Sequence, residues 1–336
     1  SQVRNAQGMA DILCPMLGID RETLIQKVSQ KAQSSVILKR QVDRETVDAL
    51  RELAALEENK KTGALSGLTF DEDRLRFYAM GGFMAQTLGL TNIDGAGQSG
   101  LEQQYDAYLA GTPGRIVTEV DAKARVLAGG NEYYIPPAEG ASIKLTVDQS
   151  IQSFIDKALR ECIEVNGARR VMAIMMDVNT GGILGMGIKP DYDPNNPPRD
   201  DLDLLQSLMR IQTISDVYEP GSTFKIFTAS AALDLGLTSP TDGFYCRGSI
   251  TVDGDRIQCW GAPHGAETMQ KALQNSCNPV FVELSLRIGT ENYYRYLRAF
   301  GFGVQTGIDL PGESPGLLIG QKYVKIVDQA RIGFGQ

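Results

Sequence analysis

A chain of 336 residues exceeds the usual size of one domain, and 42% hydrophobic with 22% charged residues is the composition of an ordinary globular protein. A formal net charge of -8 speaks against nucleic-acid binding through a broad basic face, and no apolar stretch reaches the length of a membrane span. With 1 histidine in the chain, most zinc sites are removed and a Ser-His-Asp triad depends on His264 alone.

In chain order, Asp20 opens a helix through Val28 and Asp43 opens another through Leu56, so the region to about Lys60 reads as small and helical. Lys61-Thr62-Gly63 follows the polar run Glu57-Glu58-Asn59-Lys60 and reads as a solvated loop. Arg115 to Val126 is strand-like. Gly129-Gly130, Pro136-Pro137 and Gly140 then form a turn-rich boundary, which predicts two domains, 1–140 and 141–336. The second is expected to begin with a short strand, Ile143 to Val147. Asp148 caps a helix through Ile163 whose apolar stripe is Ile151, Phe154, Ile155, Ala158 and Leu159. Val171 to Val178 and Gly182 to Ile188, joined at Asn179-Thr180-Gly181, predict a hairpin, and their continuous apolarity predicts helices on both faces.

The stretch that carries chemistry is Glu219-Pro220-Gly221-Ser222-Thr223-Phe224-Lys225. Pro220 and Gly221 mark a helix start, and Gly236 and Pro240 mark its stop after Leu235. Phe224, Ile226, Phe227, Ala229, Ala231, Ala232, Leu233 and Leu235 make that helix apolar nearly all round, which predicts burial. On an α-helix, residues three apart are rotated by roughly 60° and lie about one turn apart, so Ser222 and Lys225 share a face. Burial lowers a lysine's pKa and fits it to take a proton from a serine near neutral pH. By chance a bare Ser-x-x-Lys occurs about once in such a chain, so the helical setting carries the argument.

Downstream, Thr268 starts a helix through Gln274, Asn275-Ser276-Cys277-Asn278-Pro279 interrupts it, and Val280 to Ile288 forms a second apolar helix ending at Gly289. In an extended connection Ser276 and Asn278 would turn a hydroxyl and an amide into one cleft; as caps, they would only finish helix ends. The 5 cysteines, Cys14, Cys162, Cys246, Cys259 and Cys277, contain no Cys-x-x-Cys pair and define no metal site by spacing. Cys246 and Cys259 flank a hairpin centred on Val252-Asp253-Gly254-Asp255, and a disulfide between them is an expectation. His264 is expected in a loop, making a structural hydrogen bond.

Ser-x-x-Lys followed by Ser-x-Asn, each in its helical setting, resembles the penicillin-binding proteins and serine β-lactamases. The segments GLEQQYDAYLAGTPGR, IKLTVDQSIQ, MDVNTGGILGM, YDPNNP, SDVYEPGSTFK, NSCNP, FGFGVQTGIDLPGE and RIGFGQ occur in the order of class B penicillin-binding proteins and extend the resemblance over nearly the whole chain. What the resemblance implies is an α/β chain of α+β type: an elongated N-terminal pedestal, then a transpeptidase domain with an antiparallel sheet flanked by helices. Ser222 would attack D-Ala-D-Ala and be acylated by β-lactams, and Lys225 would act as base. Ser276 would relay the proton, and Asn278 would bind the substrate backbone and hold Lys225. No cofactor and no metal is implied. Partners would be peptidoglycan stem peptides, β-lactams and, through the pedestal, cell-wall synthesis or division proteins; no nucleic acid is among them.

The family's third motif, Lys-Thr-Gly or Lys-Ser-Gly, belongs on a strand after the Ser-x-Asn loop, and a membrane anchor belongs before the pedestal. Neither is found in these residues, so the chain is expected to be part of a longer protein anchored at the extracytoplasmic face of the cell membrane. A β-lactam sensor and a cell-wall scaffold are the alternatives of another class. A β-lactamase or carboxypeptidase is disfavoured because the segment Glu313-Ser314-Pro315-Gly316-Leu317 has no asparagine to help place a deacylating water.

Overall fold

The computed structural model describes residues 3–30, 35–119 and 132–336. They fall into two compact units, one made of Ser1–Ala79 and Thr91–Ala96, the other of Met80–Leu90 and Gly97–Gln336. No helix among the described residues is long and apolar enough to cross a membrane.

The first unit is helical. Asp20 and Asp43 cap the helices Arg21–Val28 and Arg44–Ala55 as expected, accepting the backbone N–H of Thr23 at 2.9 Å and of Thr46 at 2.8 Å. Those bonds hold both carboxyls below the usual aspartate range. A further helix, Ala6–Leu17, joins them, and Met9, Leu13, Leu24, Leu50 and Leu65 close a common core. Lys61 and Thr62 are not in a loop: they end a helix, Glu57–Thr62, that Gly63 stops at φ 66. Glu57 and Glu58 in its first turn and Lys60 and Lys61 in its last suit the helix dipole, which is why a polar run is helical here.

In the second unit, the predicted strand after Gly114 is seen as Arg115–Thr118, paired antiparallel with Glu132–Ile135. Residues 120–126 and the Gly129-Gly130 turn lie outside the described residues. Ile143 to Val147 is not a strand. Leu145 and Val147 pack beside Met186, and the backbone meets the neighbouring strand through Asp148 N–H to Leu184 O at 2.9 Å, without a ladder.

Asp148 caps the helix Gln149–Asn166, which runs past Ile163 to Gly167. It lies on a hairpin of Val171–Met176 and Ile183–Lys189, in register Val171↔Lys189. Glycines make the close approach possible: a Cβ at Gly185 would come within 2.8 Å of Ile155 Cδ1, and one at Gly187 within 2.9 Å of Leu159 Cδ1. The expected cover on both faces is not found. Met186 and Ile188 are buried, but Met172, Ile174, Met175 and Met176 are exposed. Met172 and Ile174 share one face by ordinary alternation, and a register shift between Met175 and Met176 accounts only for those two neighbours both facing outward.

The remaining core is built around the helix Asn278–Ile288, on which the helices Lys225–Asp234, Thr290–Ala299 and Ile326–Ile332 pack. Two antiparallel strand pairs close it: Gly243–Cys246 with Gly265–Thr268, and Ser249–Val252 with Asp255–Gln258. The second pair turns at Asp253 and Gly254, both at positive φ as a tight hairpin requires. The Lys225–Asp234 helix is less buried than its composition predicts, since Ile226 is 53% exposed. Cys246 and Cys259 are free thiols, as are the other three cysteines, so the expected disulfide is overturned. Ser249 pairs with Gln258 at the open end of the hairpin and Cys246 sits opposite Gly265, so the two cysteines are not paired across the hairpin although their sulfurs lie within 4.8 Å of each other.

Candidate active site

Ser222 and Lys225 meet on a tighter turn than the α-helix expected from sequence. Gly221–Phe224 is a 3-10 helix, in which residues three apart eclipse, and it passes into the α-helix at Lys225. Gly221, at φ 59, starts the turn, and its N–H donates to Gly335 O at 2.9 Å. Gly335 must be glycine for two reasons: its φ is +88, and a Cβ there would lie 2.1 Å from Gly221 O. The terminal Arg331-Ile332-Gly333-Phe334-Gly335-Gln336 stretch is thus part of the seat of Ser222.

Ser222 is exposed and Lys225 is 1% exposed. Lys225 Nζ lies 3.2 Å from Ser222 Oγ, 2.7 Å from Ser276 O, 2.9 Å from Ser276 Oγ and 2.6 Å from Asn278 Oδ1. An ammonium has three hydrogens for these four oxygens. On losing its proton the amine keeps two N–H groups to donate inward and gains a lone pair that can accept the Ser222 hydroxyl, the most distant of the four. Burial supports that state by lowering the Lys225 pKa to about 8, although the nearby Cys259 and Cys277 sulfurs pull it upward.

Ser276 owes its place to a helix ending. Cys277 N–H bonds Ala272 O at 2.9 Å and Ser276 N–H bonds Leu273 O at 3.1 Å, the paired closure of a Schellman motif. The residue at its left-handed position is usually glycine; here it is Ser276, at φ 52. A side chain in that conformation costs roughly 1–2 kcal/mol, a strain that persists where its surroundings over-determine it. Neither earlier reading of this connection holds in full. It is not extended, and the N-cap is Cys277, not Asn278, which opens the helix Asn278–Ile288. Asn278 Nδ2 donates to Gln258 O at 3.0 Å, which aims its oxygen at Lys225.

All four residues singled out from sequence are therefore brought together. Several neighbours were not. Thr228, one turn beyond Lys225, shares a 2.6 Å bond with Tyr293 OH and donates to Gly333 O at 2.7 Å, tying the Lys225 helix to the segment that seats Ser222. Burial pushes the Tyr293 hydroxyl pKa well up, so it stays protonated. Trp260 Nε1 donates to Asn275 O at 2.8 Å beside the Ser276 turn. No spacing rule links these residues. Glu313, considered as a base for hydrolysis, is occupied: its carboxylate accepts from Thr306 N–H at 2.7 Å, Thr306 Oγ1 at 2.5 Å and Gly307 N–H at 3.2 Å. Burial opposes ionisation, yet those bonds hold its pKa below the usual range.

A serine and a lysine three residues apart, met by a Ser-x-Asn turn on a helical core, have the geometry that serine acyl transfer requires. Residues 171–336 match the penicillin-binding protein transpeptidase domain, and residues 1–145 match the penicillin-binding protein dimerisation domain. The chain belongs to the class B penicillin-binding proteins. It is 36% identical over 339 residues to stage V sporulation protein D of Bacillus subtilis, covering 100% of this chain and 50% of that protein. To the probable peptidoglycan D,D-transpeptidase PenA of Neisseria gonorrhoeae it is 29% identical over 328 residues, covering 96% of this chain and 53% of that one. The chain thus spans about half the length of these curated relatives. Among solved structures, a peptidoglycan synthetase from Bifidobacterium adolescentis aligns with TM-score 0.72 and 26% identity, covering 99% of this chain and 58% of the other. Penicillin-binding protein 3 of Mycobacterium tuberculosis, complexed with aztreonam, aligns with TM-score 0.66 and 32% identity, covering 78% of this chain and 54% of the other.

Proposed function

We propose that this chain carries the acylation site of a peptidoglycan D,D-transpeptidase, with Ser222 as nucleophile, Lys225 as base, Ser276 as proton relay and Asn278 as substrate anchor. Ser222 Oγ attacks the carbonyl carbon of the penultimate D-alanine and gives its proton to Lys225 Nζ. Collapse of the tetrahedral species breaks the C–N bond, and the proton passes through Ser276 Oγ to the departing D-alanine amine. An amine of a neighbouring stem peptide then displaces Ser222 and completes the cross-link. β-Lactams acylate the same oxygen. The observation that carries this reading is a solvent-facing serine 3.2 Å from a buried lysine whose pKa is lowered to about 8.

The tying of Glu313 to Thr306 and Gly307 supports transfer over hydrolysis, since it leaves that carboxylate poorly placed to activate water. In this reading residues 1–140 form the pedestal, which meets cell-wall synthesis or division proteins, and 141–336 belong to the transpeptidase domain. The complete protein works at the extracytoplasmic face of the cell membrane. Incubation with a fluorescent penicillin, read by gel and intact mass, tests the site. One adduct on the Ser222 peptide is expected, lost in Ser222→Ala; covalent labelling that survives this change refutes the assignment. Release of D-alanine from a donor peptide by the protein carrying this chain separates a transpeptidase from a sensor, which would be acylated by penicillin alone.

A further inference from the structure

Three of the five cysteines and the single histidine, far apart in sequence, converge behind the active site. The ligand atoms of Cys246, Cys259, His264 and Cys277 all lie within 4.8 Å of one another. The fold explains how. Cys246 sits opposite Gly265 at the end of one strand pair, which brings His264 alongside. The N–H of Cys259 bonds Gly248 O at 2.9 Å, folding the end of the hairpin back onto the same spot. Cys277 arrives from the other side, as the residue between Ser276 and Asn278.

Buried cysteines often serve only as small apolar side chains, and Cys246 and Cys277 are both 0% exposed. Apolar packing does not explain the rest of the cluster. His264 Nδ1 lies 3.8 Å from Cys259 Sγ and 3.8 Å from Glu267 Oε1. The Glu267 side chain is 2% exposed, and its Oε1 has no hydrogen-bond partner among the described residues. Its other oxygen accepts from Asn275 Nδ2 at 3.0 Å, and the oxygen left buried beside the imidazole without a partner marks a place suited to positive charge.

We infer that Cys246, Cys259, His264 and Cys277 bind a soft divalent cation of the zinc type in a Cys₃His centre that fastens the strand pairs to the Ser276–Asn278 turn. Tetrahedral zinc with bonds of about 2.3 Å to sulfur and about 2.0 Å to nitrogen sets its ligand atoms roughly 3.3–3.8 Å apart, so the cluster closes by about 1 Å on binding. Binding converts three thiols to thiolates and releases their protons to solvent. Glu267 supplies a further carboxylate beside the cation, its Oε1 lying 3.8 Å from the same His264 Nδ1 that faces Cys259 Sγ. The centre is separate from the Ser222 chemistry in its ligands and in its readouts. Its mechanical role is to hold the strained Ser276 turn in place, because Cys277 is the next residue.

The test begins with the chain expressed in zinc-supplemented medium and purified without chelator or reductant. Elemental analysis should find about one zinc per chain, retained in Ser222→Ala and falling below about a tenth of an equivalent in the double variant Cys246→Ser, Cys259→Ser. Cobalt added to the metal-stripped wild-type chain should give sulfur-to-cobalt charge-transfer absorption, which needs no variant to fold. Native thiol titration of the zinc-loaded chain should leave the three cluster thiols protected until a chelator is added, after which they react. Three results would overturn the site: a wild-type chain without zinc that gives no such absorption with cobalt, zinc retained in full by the double variant, or an intact mass two hydrogens light with a bond between two cluster sulfurs.

Discussion

The helix Asn278–Ile288 beside Lys225 hides its apolar residues, whereas the first strand of the preceding hairpin leaves most of its own exposed. Val280, Phe281, Val282 and Leu284 are each 1% exposed or less. On the Val171–Met176 strand, Met172, Ile174, Met175 and Met176 are between 42% and 53% exposed. Both regions belong to the same compact unit. The contrast teaches that Ser222 is positioned by its own helical core, and that the hairpin's outer side contributes little to holding it.

That comparison is sharpened most by removing the buried amine. Lys225→Met should lower the rate of penicillin acylation by about 10²–10⁴-fold while keeping the fold, measured by stopped-flow labelling. In the parent chain the same rate should rise about tenfold per pH unit below about 8 and level off above it, because the amine must first lose its proton. The sign for stability follows from the same shift. The folded pKa of about 8 lies below the ordinary lysine value of 10.5, so the folded state binds this proton less tightly than the unfolded one. The resulting penalty is full below pH 8 and fades towards pH 10.5. A flat rate between pH 6 and pH 8 would break the base assignment.

Next in size is the seat. Gly335→Ala should push the Gly221 carbonyl aside and cost on the order of 10²-fold in acylation, the usual toll of displacing a reacting atom by an ångström. Acylation within about threefold of the parent would show that the turn is held by other contacts. Thr228→Val should then lower stability by about 1–3 kcal/mol, since it strands the Gly333 carbonyl and leaves the Tyr293 hydroxyl only its long bond to Ile332 O, with Thr228→Ser recovering most of the loss in thermal unfolding. Smallest of all, Ile174→Thr on the exposed strand should change stability by less than about 0.5 kcal/mol. A loss above about 2 kcal/mol would mean the hairpin face is covered and would dissolve the contrast.

What was legible in the sequence was local. Ser222 and Lys225 are one turn apart, Ser276 and Asn278 share a single connection, and Asp20, Asp43 and Asp148 announce helices by a cap that reaches only three residues. Contacts closed by the whole fold were not legible. Gly335 meets Gly221, Thr228 meets Tyr293, and Cys246 meets His264 only after strands and helices have docked. The hairpin shows the limit of composition: an apolar run says that a strand favours burial, but packing buried Met186 and Ile188 on one strand and left Met172 and Ile174 of the other exposed. Lys61-Thr62-Gly63 failed for the opposite reason, since charge order along a short helix outweighed a turn-like composition.

The backbone at Ser276 sets two selective pressures against each other. Exchange for glycine would relax a left-handed residue and end the preceding helix more comfortably, yet it would delete the hydroxyl that faces Lys225. Laboratory evolution for heat resistance alone should drift towards glycine here and lose turnover as it does so. A population selected for turnover should keep the serine and gather its compensating stability elsewhere in the helical core.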